Sequence, residues 1–341
     1  MPSGSLANGA VPREERMFRG FLTTVLKGGA ALAASTLLVC QVANAQEFTV
    51  GFSNRTLNGP YFSALTEHVK TFAEAEGWKV ISTDARADLN KQIADVEDMV
   101  ARGINALILN PQDPAAGMRI VEQVRRKNIP VVIIDSDLAI GADVVTRVAS
   151  DNAKTNQLIG EYAATQFADT PLKVALISGN QGNLVGHTRS SNFFLGIMDG
   201  QLRRSAKTNF QIVTQVWGGW DQQGGLKAME DVLAAHPEIN AVYTENDDMA
   251  LGAVHALRAA GRLKDVRLYS YDGNKNAYKA IIDGQMQATG ENNPKLMAQM
   301  AVNLLKEVKA GKTQFPDYSY TPPLMVNGDN AKTVYDEKSL F

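Results

Sequence analysis

The sequence predicts an α/β protein built as two similar lobes, each a parallel sheet flanked by helices, joined by short hinge crossovers. Three observations carry this. Short β-branched runs alternate with longer segments of helical period, the pattern of repeated βαβ units. The same beat runs through residues 48–150 and again through 152–283. Between the two stretches lies no Pro/Gly/Ser-rich linker, so the crossover near Ala149–Asn152 must be short and structured.

In chain order, a basic segment with Arg13, Arg16, Arg19 and Lys27 precedes the 13-residue apolar run Gly28–Cys40, and Ala43-Asn44-Ala45 follows. This reads as a secretory signal cut after Ala45, starting at Met1 or at Met17, with a retained anchor as the alternative. The run is too short to cross about 30 Å of hydrocarbon at ~1.5 Å per residue. Cys40 leaves with the signal; Val39 before it argues against lipid attachment. The exported remainder then has no thiol for a disulfide or a cysteine enzyme.

Strands are expected at residues 48–52, 79–83, 106–109, 131–134, 173–177, 211–216, 241–244 and 266–270. Between them, Leu89, Ile93, Val96 and Val100 form one helical stripe and Ala116, Ile120 and Val124 another. Gly103 stands where a left-handed helix cap is wanted. A last helix spans about 294–310, and the tail from Phe315, with Pro316, Pro322 and Pro323, reads as irregular.

With 34 Lys+Arg against 36 Asp+Glu, net charge -2, the chain has no electrostatic reason to bind nucleic acid or an anionic membrane. Removing residues 1–45 leaves a mildly acidic -4. Phosphate-cradling G-x-G-x-x-G and G-x-x-x-x-G-K-[ST] runs are missing, as are G-x-S-x-G and H-E-x-x-H. The four His (His68, His187, His236, His255) are scattered, so neither a metal nor a cofactor is expected, and His187 reads as a solvated loop residue.

Ligands of open parallel sheets sit beyond the carboxyl ends of the strands. There this chain places Asn58-Gly59-Pro60-Tyr61-Phe62, Asn110 and Asp113, Asp135-Ser136-Asp137, Gly179–Arg189, Trp217–Asp221, Glu245–Asp248 and Asp272–Asn274. Carboxylates, amides and arginine take neighbouring hydroxyls in a fixed plane, and aromatic faces cover the apolar side of a sugar ring. Together they suit a polyhydroxylated ligand. Each residue also has a plainer reading. Asp113, Asp248 and Asp272 are common turn and cap residues, Asp247 fits a cap, Asp151 a hinge or turn, and Phe62 or Trp220 a core position.

The motifs TLNGPYF (Thr56–Phe62), ILNPQD (Ile108–Asp113), IPVVIIDSD (Ile129–Asp137), VASDN (Val148–Asn152), ENDDMALGAVHAL (Glu245–Leu257) and YDGNKNAYKAI (Tyr271–Ile281) resemble those of the ribose-type periplasmic sugar-binding proteins, the soluble receptors of ABC importers. The resemblance covers about residues 48–310. It implies the type I periplasmic binding protein fold. One lobe would hold 46–150 with about 293–321, the other 151–292 with about 322–341. It further implies Asn58, Tyr61, Phe62, Asp135 and Ser136 as ligand-side residues of the first lobe. Arg189, Trp220, Asn246 and Asp272 would be those of the second, with Asn292 as a hinge-side amide.

Ribose receptors carry Arg where this chain has Ser136 and Asn where it has Gly59, and two extra residues lie within Asn54–Thr56. A cleft that loses a guanidinium and an amide should hold something other than ribose, a different neutral carbohydrate or polyol. The expected partners are a permease and its ATPase, or a chemoreceptor, with the protein itself a monomer and not an enzyme. The rivals are a sugar-responsive transcription regulator, which would need a helix-turn-helix ahead of the core, and an exported carbohydrate-active enzyme using paired carboxylates.

Overall fold

The computed structural model describes residues 47–139, 141–168 and 170–341; the signal segment, Cys40 and both candidate starts lie outside them. The first lobe begins with β1 (Thr49–Asn54), α1 (Pro60–Ala75), β2 (Lys79–Asp84), α2 (Leu89–Ala101), β3 (Ala106–Leu109), α3 (Pro114–Arg125), β4 (Val131–Ile134) and β5 (Thr146–Ser150). The second contains α4 (Asn152–Gln166), β6 (Leu172–Ser178), α5 (Leu184–Ser205), β7 (Phe210–Trp217), α6 (Gln222–Ala235), β8 (Ala241–Thr244), α7 (Asp247–Ala259), β9 (Arg267–Asp272), α8 (Lys275–Ile282) and β10 (Ala288–Glu291). The chain then returns through α9 (Pro294–Lys309) and β11 (Tyr318–Thr321) and ends in β12 (Met325–Asn327) and α10 (Ala331–Val334).

The two sheets repeat one order, β2-β1-β3-β4-β5-β11 and β7-β6-β8-β9-β10-β12. Every pairing is parallel except β10 with β12. Strands covered on both faces have no polar side to show, which is why β3 (ALIL) and β4 (VVII) are uniformly apolar and fully buried. Apolar clusters lie on both faces of each sheet. Phe52, Leu65 and Val302 belong to one side of the first sheet and Met99, Leu107 and Val124 to the other. Around the second sheet, Val242 and Met249 lie on one side and Phe193 and Tyr243 on the other.

The expected strands are present with ends shifted by a residue or two, and Gly103 has φ 78°. Four strands had no counterpart in the sequence reading. TRVAS, ATGE and YSYT are short and largely polar and MVN is only three residues long, so hydrophobic patterning does not mark them; neighbouring strands do. The tail is therefore not irregular throughout. It adds β11 to the first sheet and β12 to the second.

The chain crosses between sheets three times, after Ser150, after Glu291 and after Thr321. Side chains tie the crossings together: the Ser150 hydroxyl donates to Asn292 Oδ1 at 2.7 Å, and Thr321 Oγ1 donates to Ser150 Oγ at 3.4 Å. Asp151 is the N-cap of α4, accepting from Lys154 N–H at 2.9 Å. No helix among the described residues is long and apolar enough to cross a membrane.

Candidate functional site

In a sheet ordered 2-1-3, connections leave in opposite directions at the first strand and open a crevice at the carboxyl ends. This chain has such a point twice, at β1/β3 and at β6/β8. On the first, Asn110 follows β3 fully buried, and its Nδ2 donates to Asn54 Oδ1 at 3.0 Å and to Asp135 Oδ2 at 3.3 Å. Asn54 is itself held by the Phe62 carbonyl and the Thr66 hydroxyl, both at 3.0 Å. The amide pair thus aims the Asp135 carboxylate. Pro60 opens α1, and Tyr61 and Phe62 follow in its first turn with their rings edge to face, centroids 5.3 Å apart. The Tyr61 hydroxyl donates to Met297 Sδ at 3.1 Å.

In the second lobe, Arg189 lies on the buried face of α5, four residues before Phe193, which stacks on Tyr243 at 4.2 Å. Its guanidinium is buried. Nη1 donates to the Glu245 carbonyl and to Asp272 Oδ1, both at 2.9 Å; Nε donates to Asn152 Oδ1 at 2.9 Å; the group lies 4.2 Å from the Tyr271 ring centre. A fork held at three acceptors and an aromatic face has one orientation. The Glu245 carboxylate accepts from Ser178 Oγ at 2.9 Å and Gly179 N–H at 2.8 Å, fixing the end of β6. The Trp220 ring lies against Gly179 so closely that a Cβ there would sit 1.8 Å from the indole. Only glycine permits that approach.

Charge couples the two sides. Burial and then the Asp135 carboxylate push the Tyr61 hydroxyl well above its ordinary pKa. Burial pushes Asp272 up to about 7; the Arg189 guanidinium opposes this, and Asp248 and Asp135 add to it. Burial works against the Arg189 charge, and Asp272, with Tyr271, Tyr243 and Asp135, more than offsets it, so its pKa is raised. Among the described residues, Asp135, Trp220 and Asp272 are three of the seven non-glycine residues with positive φ, at 66°, 68° and 127°. Such conformations cost about 1 kcal/mol or more each and persist where packing overrides them, commonly at functional sites.

Asp135 and Ser136 follow β4, Asp272 ends β9 and Trp220 follows β7, while Tyr61 and Phe62 lie in the first turn of α1 and Arg189 on α5; Arg189 pairs with Asp272, and Asn292 sits at a crossing between the sheets. Asn58 is exposed, its backbone N–H donating to Thr56 Oγ1 at 3.0 Å. Asn246, and not Asp247, is the N-cap of α7: its Oδ1 accepts from Met249 N–H at 3.0 Å while Nδ2 donates to the Trp220 carbonyl at 3.0 Å. That second bond makes Asn246 a positioning residue for the indole. Asp247 is instead a buried acid that receives the Asn274 N–H at 2.8 Å beneath the Asp272 turn. The plainer reading holds for Asp113, N-cap of α3. His187 lies in the first turn of α5 rather than in a loop, and is exposed.

Asn110, noted in the sequence only as an amide after the third strand, is the residue that holds Asp135. Arg55 was not named as a site residue, although it lies in the Asn54–Thr56 insertion; its Nη1 donates to Ser136 Oγ at 3.2 Å. The expectation that the first lobe lacks a guanidinium here is therefore corrected: one reaches Ser136 from just beyond the carboxyl end of β1. Among the described residues no group of three or more His, Cys, Asp or Glu could hold a metal.

Residues 50–313 match the model of the periplasmic binding protein domain. The chain belongs to the ribose-type periplasmic binding proteins. It is similar to the ribose import binding protein RbsB of Bacillus subtilis (strain 168), 37% identical over 269 residues that cover 79% of this chain and 84% of that protein. A solved ABC transporter solute binding protein from Mycobacterium smegmatis, with bound glycerol, superposes with a TM-score of 0.77 at 31% identity, covering 86% of this chain and 98% of that one. The binding protein of the arabinose ABC transporter from Shewanella sp. ANA-3, bound to α- and β-L-arabinofuranose, gives 0.77 at 28% identity, covering 84% and 94%. Family members are substrate-binding proteins, and the two-lobed α/β architecture is the one they share.

Proposed function

We propose that this protein captures a neutral monosaccharide or polyol between its lobes and delivers it to an ABC-type importer from the periplasm, after removal of an N-terminal signal. One observation supports the reading: oriented carboxylates on opposite lobes, Asp135 held by Asn110 and Asp272 held by Arg189, lie close enough for the Asp135 charge to help raise Asp272; with them we group the Tyr61, Phe62 and Trp220 rings as the walls of one cleft. Carboxylates accept hydroxyl protons, Arg189 donates to oxygen, and the rings cover C–H faces. A ligand touching both lobes stabilises the closed arrangement by the contacts it gains there. The three crossings, tied through Ser150, Asn292 and Thr321, are where the lobes would turn. No step of bond making is part of this reading.

The test is a thermal-shift panel of residues 46–341 against aldopentoses, aldohexoses, deoxysugars and polyols. Binding to the native state raises the melting temperature by mass action, so one neutral sugar or polyol should give a large, saturable shift. Asp272→Ala should abolish that shift while the variant stays folded. Full binding by Asp272→Ala, or no shift from any compound and no sugar released on denaturation, would overturn the assignment.

A further inference from the structure

We propose that Arg55 contacts the ligand and sets its specificity, an inference that rests on the carbohydrate reading of the cleft. The backbone at Arg55 is pinned on successive groups. Ala85 N–H donates to the Asn54 carbonyl at 3.0 Å, Ala87 N–H to the Arg55 carbonyl at 2.9 Å, and Leu57 N–H to Asp84 Oδ1 at 3.1 Å. Holding this clasp requires two consecutive non-glycine residues at positive φ, Arg86 at 55° and Ala87 at 59°. Such a pair is strained, and the hydrogen bonds around the loop that carries Arg55 hold it in place.

From that loop the half-buried side chain reaches across the ends of β1, β3 and β4 to Ser136, the residue after Asp135. Among the described residues the Ser136 hydroxyl is its one side-chain hydrogen-bond partner. A guanidinium has five N–H donors in a planar fork, so the rest remain available. Arg189 is the opposite case, engaged by Asp272, Glu245 and Asn152. Ser136 Oγ also lies 3.5 Å from Asp135 Oδ2, which places an open donor fork beside an oriented carboxylate. A donor and an acceptor side by side fix the direction of a hydroxyl or of a vicinal pair, and so select stereochemistry.

The experiment is calorimetric titration of the ligand-free protein and of Arg55→Ala and Arg55→Lys with D-ribose, L-arabinose, D-allose and myo-inositol, followed by the monodeoxy derivatives of the compound bound best. Arg55→Ala should weaken that compound about 10- to 100-fold, the range of a hydrogen bond from a charged group. Arg55→Lys should fall between, because a point charge lacks the fork. One deoxy position should lose affinity in the wild type and lose nothing in Arg55→Ala, a pattern that a merely structural role would not produce. Unfolding temperatures of the ligand-free proteins should agree within about 2 °C, since only one part-buried hydrogen bond is removed. Equal affinities in wild type and Arg55→Ala, or identical deoxy penalties in both, would overturn the role of Arg55 and leave the carbohydrate reading standing. Where none of the four binds, the same variants are titrated with the best compound of the aldopentose, aldohexose, deoxysugar and polyol panel; failure of the wild type to bind any member of that panel would overturn both.

Discussion

Replacing Asp247 by Asn should flatten the dependence of stability on pH between 5 and 8 and make the ligand-free protein more stable at pH 8. Asp247 is fully buried. The Ser270 hydroxyl and the Thr289 hydroxyl, at 2.6 Å, donate to its Oδ1, and Asn274 N–H donates to Oδ2 at 2.8 Å. Burial first, then the Asp272 carboxylate, push its pKa up to about 8 against those three hydrogen bonds. In the unfolded chain an aspartate titrates near 3.9. Between these values the native state binds the extra proton, so unfolding free energy falls as pH rises, by about 1.4 kcal/mol per unit for one group. The contribution is whole below about pH 4 and is lost as pH rises through 8. From pH 5 to 7 that is a fall of about 3 kcal/mol, to which Asp272, raised to about 7, adds with the same sign. Asparagine removes the ionisation and keeps the bonding: its Oδ1 can accept from Asn274 while its amide donates to the two hydroxyls. Urea unfolding followed by circular dichroism at half-unit steps of pH measures the slope in both proteins. A wild-type stability that rises across this window, or an equal slope in Asp247→Asn, would refute the argument.

Ligand affinity should fall several-fold as pH drops from 8 to 6, because protonation of Asp272 removes an acceptor and the partner of Arg189; titration calorimetry across that range reads it. Gly179→Ala should displace the Trp220 ring and weaken binding at least tenfold, with a change in tryptophan emission, since the new Cβ would lie 1.8 Å from the indole. Gly252→Ala should cost about 1–3 kcal/mol, because its Cβ would meet the Gln222 carbonyl at 2.1 Å and force α6 from α7; the melting temperature checks this. Phe341→Ala should lower the melting temperature, at a cost of about 2–4 kcal/mol. The C-terminal ring is 8% exposed within the first-lobe core and meets Tyr61 edge-on at 5.3 Å.

The apolar runs, the helical stripes and the repeated strand–helix beat are local and periodic, and they determined by themselves the α/β class, the two lobes and the stretches that end at the cleft. Burial on both faces makes ALIL and VVII legible without a structure, whereas TRVAS and ATGE are strands only because sheets already formed present an edge. Among the polar residues at strand ends the sequence could name candidates and could not sort them. Asp113 and Asn246 cap helices through bonds three residues away, Asp247 turns inward, and Asp135 and Asp272 adopt positive φ and are held by Asn110 and Arg189. These share one composition, and backbone angles at single positions separate them. Arg55 is the plainest case of tertiary decision. It lies 81 residues before Ser136, and only the parallel placement of β1, β3 and β4 brings its guanidinium to the place where the chain between them has none.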